Sequence, residues 1–254
     1  MINIGLKVSY KGKAYAGFQI QPDQPTIQGF LEAALGKIFD QEIKIVGAGR
    51  TDAGVHAYGQ VINFFVDQCK IDIGNLPKLV NAYLPEDISV VGAAFVDQDF
   101  SARFSAQSKI YKYVIYNNRY RSAIYGDFSF CFPHHLDIDL MRQAAQSIVG
   151  CHDFHSFMGR YADVKDSIRT VYSVDINRQG DFVELVFHGK GFLKNMIRIL
   201  VGSLCDIGRG KLPVDFIERA LEAKDRTKAG FTAPACGLFL MEVKYSQPIK
   251  FRES

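Results

Sequence analysis

Residues 46–57 read VGAGRTDAGVHA, with Arg50, Thr51, Asp52 and His56 set among Gly47, Gly49 and Gly54. Two chemistries suit such a loop: bare backbone can cradle a phosphate, and a projecting carboxylate can act as base or nucleophile. The dinucleotide fingerprint G-x-G-x-x-G needs a third glycine at position 52 and a helix directly after it, because pyrophosphate rests on a helix N-terminus. Asp52 stands there instead, its charge repels phosphate, and the strand-like run GQVINFFV follows. A P-loop needs Lys and Ser or Thr after Gly54, where this chain has Val55 and His56. No nucleotide cofactor is expected. Two readings remain: a loop that presents Asp52 to a substrate, or a glycine-rich connection whose aspartate caps its own turn.

Three further stretches carry candidate chemistry. FLKNMIRILVGSLC, residues 192–205, is apolar over most of its helical circumference, and Lys194, Asn195, Arg198 and Gly202 share one narrow stripe. A guanidinium on a mostly buried helix requires a carboxylate, for which Asp52 is a natural partner; the alternative is a solvent-facing stripe. SKIYKYVIYNNRYRSAIYG, residues 108–126, interleaves Lys109, Lys112, Arg119 and Arg121 with Tyr111, Tyr113, Tyr116, Tyr120 and Tyr125. Cations that pair with phosphate and aromatics that stack on bases make a single-strand RNA surface. In a strand, however, Tyr111 and Tyr113 share one face and Lys112 takes the other, so the set cannot converge on one ligand. Core tyrosines behind an exposed basic edge are the alternative. CHDFH places Cys151, His152 and His155 together, but no second ligand cluster of suitable spacing accompanies them and the H-x-E…P-C-x-x-C signature is missing. No metal site is expected, and no G-x-S-x-G elbow points to a hydrolase.

The elements that must position these residues follow from periodicity. Ile2, Ile4, Leu6 and Val8 alternate as a strand, and TIQGFLEAALGKIF has a helical stripe at 27, 30, 31, 34, 35 and 38 with Thr26 as N-cap. IKIV reads as a short strand, GQVINFFV as a strand, NLPKLVNAYL as a helix and ISVVGAAFV as a strand. Beyond it come the strand KIYKYVIY, the helix DIDLMRQAAQSIVG and a hairpin turning at Gln179-Gly180. The helix from Phe192, a further helix VDFIERALEAK and a last strand GLFLMEVKY complete the chain. The fold class is α/β (α+β): two related ferredoxin-like, or RRM-like, domains of β-α-β-β-α-β pattern with mostly antiparallel sheets, at residues 1–104 and 105–254. The 254 residues, 48% of them hydrophobic, suffice for real cores. No apolar run approaches a membrane span, and the N-terminus lacks a signal-peptide pattern, so a cytoplasmic protein is expected. Five widely spaced cysteines argue against a disulfide framework, and a net charge of +3 permits an anionic partner without requiring one.

GRTDAGVHAYGQV resembles the active-site motif of the TruA family of tRNA pseudouridine synthases. The resemblance extends through TIQGFLEAAL, FSARFSAQSKIYKYVIYN, FLKNMIRILVGSL and KDRTKAGFTAPACGLFLMEV, in that order and over nearly the whole chain. It implies isomerisation of uridine to pseudouridine at positions 38 to 40 of the tRNA anticodon stem-loop, without a cofactor. It implies Asp52 as the essential catalytic residue, Arg50 helping to extrude the target nucleotide, Tyr111 stacking on the flipped base, and Arg198 pairing with the aspartate. Lys109, Lys112 and Lys194 would contact phosphates, and the family implies a homodimer of two-domain subunits, the two domains of each joined at a basic, central active-site cleft. Phe18 replaces a tryptophan common in the family, which bears on RNA contacts or packing. The other classes kept open are a non-catalytic RNA-binding protein on the same scaffold and a nucleotide-dependent oxidoreductase using the glycine loop.

Overall fold

A computed structural model of the chain describes residues 1–159 and 166–252. It is a mixed α/β structure with mostly antiparallel sheets, and it divides into two compact units, Met1–Ser108 with Phe239–Ser254, and Lys109–Leu238. Among the described residues no helix is long and apolar enough to cross a membrane.

In the first unit β1 (Ile2–Tyr10), α1 (Ile27–Phe39), β2 (Val46–Gly47), β3 (His56–Val66), α2 (Leu76–Asn81) and β4 (Ile88–Phe95) follow in chain order. β1 is central, antiparallel to β3 on one side and β4 on the other. Ile4, Leu6 and Val8 are fully buried, as their alternation requires, and Ile27, Leu31, Ala34 and Leu35 form the buried stripe of α1. Thr26 caps α1 by accepting from the Gly29 N–H at 3.3 Å. The IKIV strand is shorter than its alternation predicts. Only Val46 and Gly47 join the ladder, opposite Asn63 and Ile62, because the Ile45 N–H donates to the Glu32 carboxylate of α1 (3.0 Å) instead.

The last strand, β10 (Leu238–Tyr245), falls almost wholly in the first unit, whereas the expected boundary gave all of 105–254 to the second. The physical reason is an open edge. β2 covers β3 only at Ile62 and Asn63, and β10 runs parallel to the uncovered start of β3, with Phe239 opposite His56 and Leu240 opposite Ala57. The chain end then bonds the outer edge of β4 through Arg252 and Ala93, in both directions at 2.9 and 3.1 Å.

The second unit contains β5 (Ala106–Tyr116), β6 (Phe130–Cys131), α3 (Ile138–Ala145), β7 (Gly150–Asp153), β8 (Ile168–Gln179), β9 (Phe182–Gly189), α4 (Met196–Gly208) and α5 (Phe216–Ala223). Its sheet runs β5-β9-β8-β7. The β8–β9 hairpin pairs Gln179 with Phe182, so Gly180 and Asp181 are the loop, with Gly180 at φ +56°. Glycine in the first loop position is what a two-residue hairpin turn favours. Asp137 caps α3 by accepting from Asp139 and Leu140, both at 3.0 Å. α4 starts at Met196 rather than Phe192, because Asn195 adopts the left-handed conformation at φ 60°, ψ 0°.

Candidate active site

The Asp52 loop is fixed from below by groups on β3 and by Tyr10, Gly12 and Phe18, far from it in sequence. Ala48 N–H continues the β2 ladder to Val61 O at 2.8 Å, and the Gly49 carbonyl accepts from the Gln60 amide at 2.8 Å. Thr51 is buried; its hydroxyl shares a 2.8 Å hydrogen bond with the Tyr10 phenol, and its carbonyl accepts from Phe18 N–H at 3.1 Å. Asp52 O accepts from Val55 N–H at 3.1 Å, closing a turn in which Gly54 has φ +80°. That is the left-handed third position of a type II turn. On the far side Gly12 donates its N–H to His56 Nδ1 at 3.1 Å, and no larger residue fits there, since a Cβ would lie 2.0 Å from Val55 O. The peptides on both sides of Asp52 are thus pinned, while its side chain is only half-buried and Arg50 is exposed. Burial pushes the Tyr10 phenol up to about 12, so it stays neutral and available for Thr51 and Gln60.

Two of the loop's glycines serve the backbone and its packing. Gly54 supplies the turn, and Gly47 makes room for the buried Phe18 ring, which a Cβ would approach to 2.5 Å. Phe18 is therefore a packing residue beneath the loop.

In the second unit, α4 is buried at twelve of its thirteen residues, and Arg198 is the exception. Its Nε donates to Ala233 O at 2.7 Å and its Nη1 to Asn195 Oδ1 at 2.8 Å. The irregular segment 229–237 is laid along α4 in register. Gly230 N–H reaches Ser203 Oγ (3.1 Å), Ala233 N–H reaches Arg198 O (3.0 Å), and the Tyr113 hydroxyl donates to Pro234 O (2.7 Å). Gly202 belongs to this contact rather than to a polar stripe, since a Cβ there would sit 1.9 Å from Phe231 O. Arg198 and Tyr113 thus bond adjacent carbonyls, and burial holds the Tyr113 phenol well above its ordinary pKa.

A family model described as tRNA pseudouridine synthase matches residues 7–105 and 144–246, which include the Asp52 loop and the whole of α4. The chain belongs to the tRNA pseudouridine synthase family. It is 42% identical over 245 residues to tRNA pseudouridine synthase A of Caldicellulosiruptor bescii, covering 96% of this chain and 100% of that one. The protein of the same name from Geobacillus sp. is 43% identical over 245 residues (94% and 96% covered), and that from Bacillus subtilis 41% over 240 (94% and 97%).

The remaining predicted site residues of the synthase are placed unevenly. Asp52 and Arg50 lie in the first unit; Lys109, Tyr111, Lys112, Lys194 and Arg198 lie in the second. Tyr111 and Tyr113 share the buried face of β5, and Tyr111 is only 7% exposed, with Phe192 against it edge-on at 5.4 Å. Lys112 points to the other face, where its Nζ pairs with Glu184 at 3.0 Å, so it is drawn away from the tyrosines. Lys109 is half-buried beside Gly189, and Lys194 is exposed just before α4. Arg119, Tyr120, Arg121 and Tyr125 stand exposed in the loop after β5. In CHDFH, His152 Nε2 bonds Val149 O at 2.9 Å, and Asp153 is occupied by His155 N–H, Ser167 and Lys224. Those bonds are local and structural, and they hold the Asp153 carboxyl below its usual range, the Ser167 hydroxyl contributing most.

Residue types and spacing gave no sign of Tyr10 as part of the site, and placed Asn195 only on the stripe it shares with Arg198. Tyr10 and Thr51 are 41 positions apart, and Asn195 reads as one polar residue in a helix. For Gln60 the available signal is a polar side chain within the largely apolar run of β3, which it shares with Asn63.

Proposed function

We propose that the protein isomerises uridine to pseudouridine in the anticodon stem-loop of tRNA, at positions 38 to 40, with Asp52 as the catalytic carboxylate. The observation that carries this reading is a half-exposed aspartate whose preceding residues are held by hydrogen bonds, Thr51 through its hydroxyl to Tyr10 and its carbonyl to Phe18, and Gly49 through its carbonyl to Gln60. A reacting group on so restrained a backbone is pre-organised, which is where positioning contributes most to rate. The reaction breaks the N1–C1′ bond, turns the base and joins C5 to C1′. The C5 proton leaves and N1 gains one, so atoms and electrons balance without a redox partner or a leaving group.

The roles of the other residues follow from their placement. Arg50, exposed two positions before Asp52, offers a cation to displace the target nucleotide, whose unstacking costs a few kcal/mol, roughly. Tyr111 offers a ring for the flipped base, which requires Phe192 to move off it. Arg198, with its guanidinium held at Nε and Nη1, is the group that pairs with the catalytic carboxylate. Lys109 and Lys194 contact phosphates, and Lys112, paired with Glu184, contributes least. The enzyme acts as a cytoplasmic homodimer.

The test uses tRNA carrying tritium at uridine C5, because forming the C5–C1′ bond releases that label to water. Asp52→Asn and Asp52→Ala should release none while still binding tRNA. Full release by either variant refutes the assignment. RNA binding without release by the wild type would instead identify a binding-only protein on this scaffold.

A further inference from the structure

The second unit carries a pocket of about 500 Å³ that none of the roles above uses, lined by Gly159, Asn195, Arg226, Thr227, Ala229 and Thr232. Its lining is rich in hydrogen-bond donors, and no acidic side chain occurs among the described lining residues. The Arg226 guanidinium is held in place by three acceptors, Gly230 O at 3.0 Å, Ala229 O at 3.5 Å and Thr232 Oγ1 at 3.1 Å. Accepting from Arg226 leaves the Thr232 hydroxyl proton directed elsewhere. Asn195 commits its Oδ1 to Arg198, which presents its Nδ2 as a donor. Gly159 gives that amide its space, since a Cβ there would come within 2.7 Å of Nδ2. Lys194 and Lys228, each next in sequence to a lining residue, are exposed.

We infer that this pocket is a subsite for one phosphodiester and its ribose in the RNA strand next to the target nucleotide. A volume of this size falls within the range of small-ligand sites, about 300–1,000 Å³. A fixed guanidinium with hydroxyl and amide donors is the usual phosphate and sugar readout, which positions a strand without reading its sequence. Asn195 belongs to the pocket and to Arg198 together, so strand seating and the guanidinium share one side chain. The inference rests on the RNA-modifying reading, and its test is a binding measurement that stands apart from turnover.

Affinity of the full-length protein for a tRNA transcript is measured over a range of salt concentrations. Arg226→Gln should weaken binding about tenfold and reduce the slope of log K against log salt by about one. Thr232→Val, nearly isosteric and uncharged, should weaken binding about three- to tenfold with the slope unchanged. It also serves if the first variant does not fold. Wild-type slope and affinity in Arg226→Gln, or wild-type affinity in Thr232→Val, overturn the subsite. A pocket for a free nucleotide gives that same unchanged RNA affinity and so counts against the proposal. Failure of the wild type to release tritium would overturn the catalytic reading alone, because the salt slope still judges the pocket.

Discussion

Asn195→Gly isolates one side chain from its backbone. Asn195 sits at φ 60° as the N-cap of α4, yet makes no capping bond, because its Oδ1 accepts from Arg198 Nη1 at 2.8 Å. A missing cap costs about 1 kcal/mol, and a left-handed L-residue about as much again, somewhat less for asparagine. Glycine adopts that conformation freely, so the substitution removes the amide without straining the chain. The lost bond is to a charged group, worth about 1.5–3 kcal/mol where water is excluded. Arg198 is half-exposed and keeps its Nε bond to Ala233 O at 2.7 Å, so water replaces part of that loss. Folding stability should therefore change by no more than about 1 kcal/mol, relief of the backbone offsetting the lost bond. If Asn195 fixes the guanidinium for reaction, the same bond appears in the rate, as a fall in kcat of about 10- to 100-fold. The assay is single-turnover tritium release at saturating tRNA, beside urea unfolding of each variant. Asn195→Ala should lose activity equally but also lose about 1 kcal/mol of stability, since its Cβ meets the left-handed penalty. Wild-type single-turnover rates in Asn195→Gly would refute the positioning role.

Two further perturbations probe the supports of each half. Tyr10→Phe leaves the Thr51 hydroxyl without its partner at a buried site and should cost about 1–3 kcal/mol, with a fall in the tritium-release rate as the Asp52 turn loosens. The same variant has a pH signature. The Tyr10 phenol is raised to about 12, above its unfolded value of about 10, so its contribution to stability is complete below pH ~10 and is lost as pH rises towards 12. Alkaline unfolding followed by circular dichroism should show a shallower decline in Tyr10→Phe than in the wild type, and equal declines would reject the linkage. Gly202→Ala places a methyl 1.9 Å from Phe231 O and should destabilise the second unit by about 3 kcal/mol or more, read by urea unfolding.

What was legible in the sequence was local. Thr26 and the α1 stripe, Asp137 and α3, and the alternation of β1 were read from adjacent residues, and the cap bonds and burial follow that reading. Asp52 stood out because it broke a pattern of glycines within one short loop. The differences arise where a distant group competes for a backbone bond. Ile45 N–H goes to Glu32 instead of a strand neighbour, which shortens β2. Arg198 takes the Asn195 amide, and with Asn195 left-handed the first turn read into α4 is not helical. β10 was recognisable as a strand by its composition, but its place beside His56 and Ala57 depends on how much of β3 was left uncovered by β2.

The same competition explains where the candidate site lies. Regular ladders satisfy their own backbone groups, so their side chains can serve only packing or a single face. The Asp52 turn and the 229–237 segment have no ladder, and each borrows partners from the regular elements beneath: Tyr10 and Gln60 for one, Ser203, Arg198 and Tyr113 for the other. An irregular segment pinned in that way keeps polar side chains outward in defined positions, as Asp52 and Thr232 are, without a helix or strand to dictate their spacing. Its signal in sequence is correspondingly diffuse. Arg226 and Thr232 share no periodicity with Asn195, although all three border one pocket. The stability of such a segment depends on a few named bonds rather than on burial of a face. Single substitutions at those bonds should therefore alter chemistry and strand seating before they unfold the scaffold.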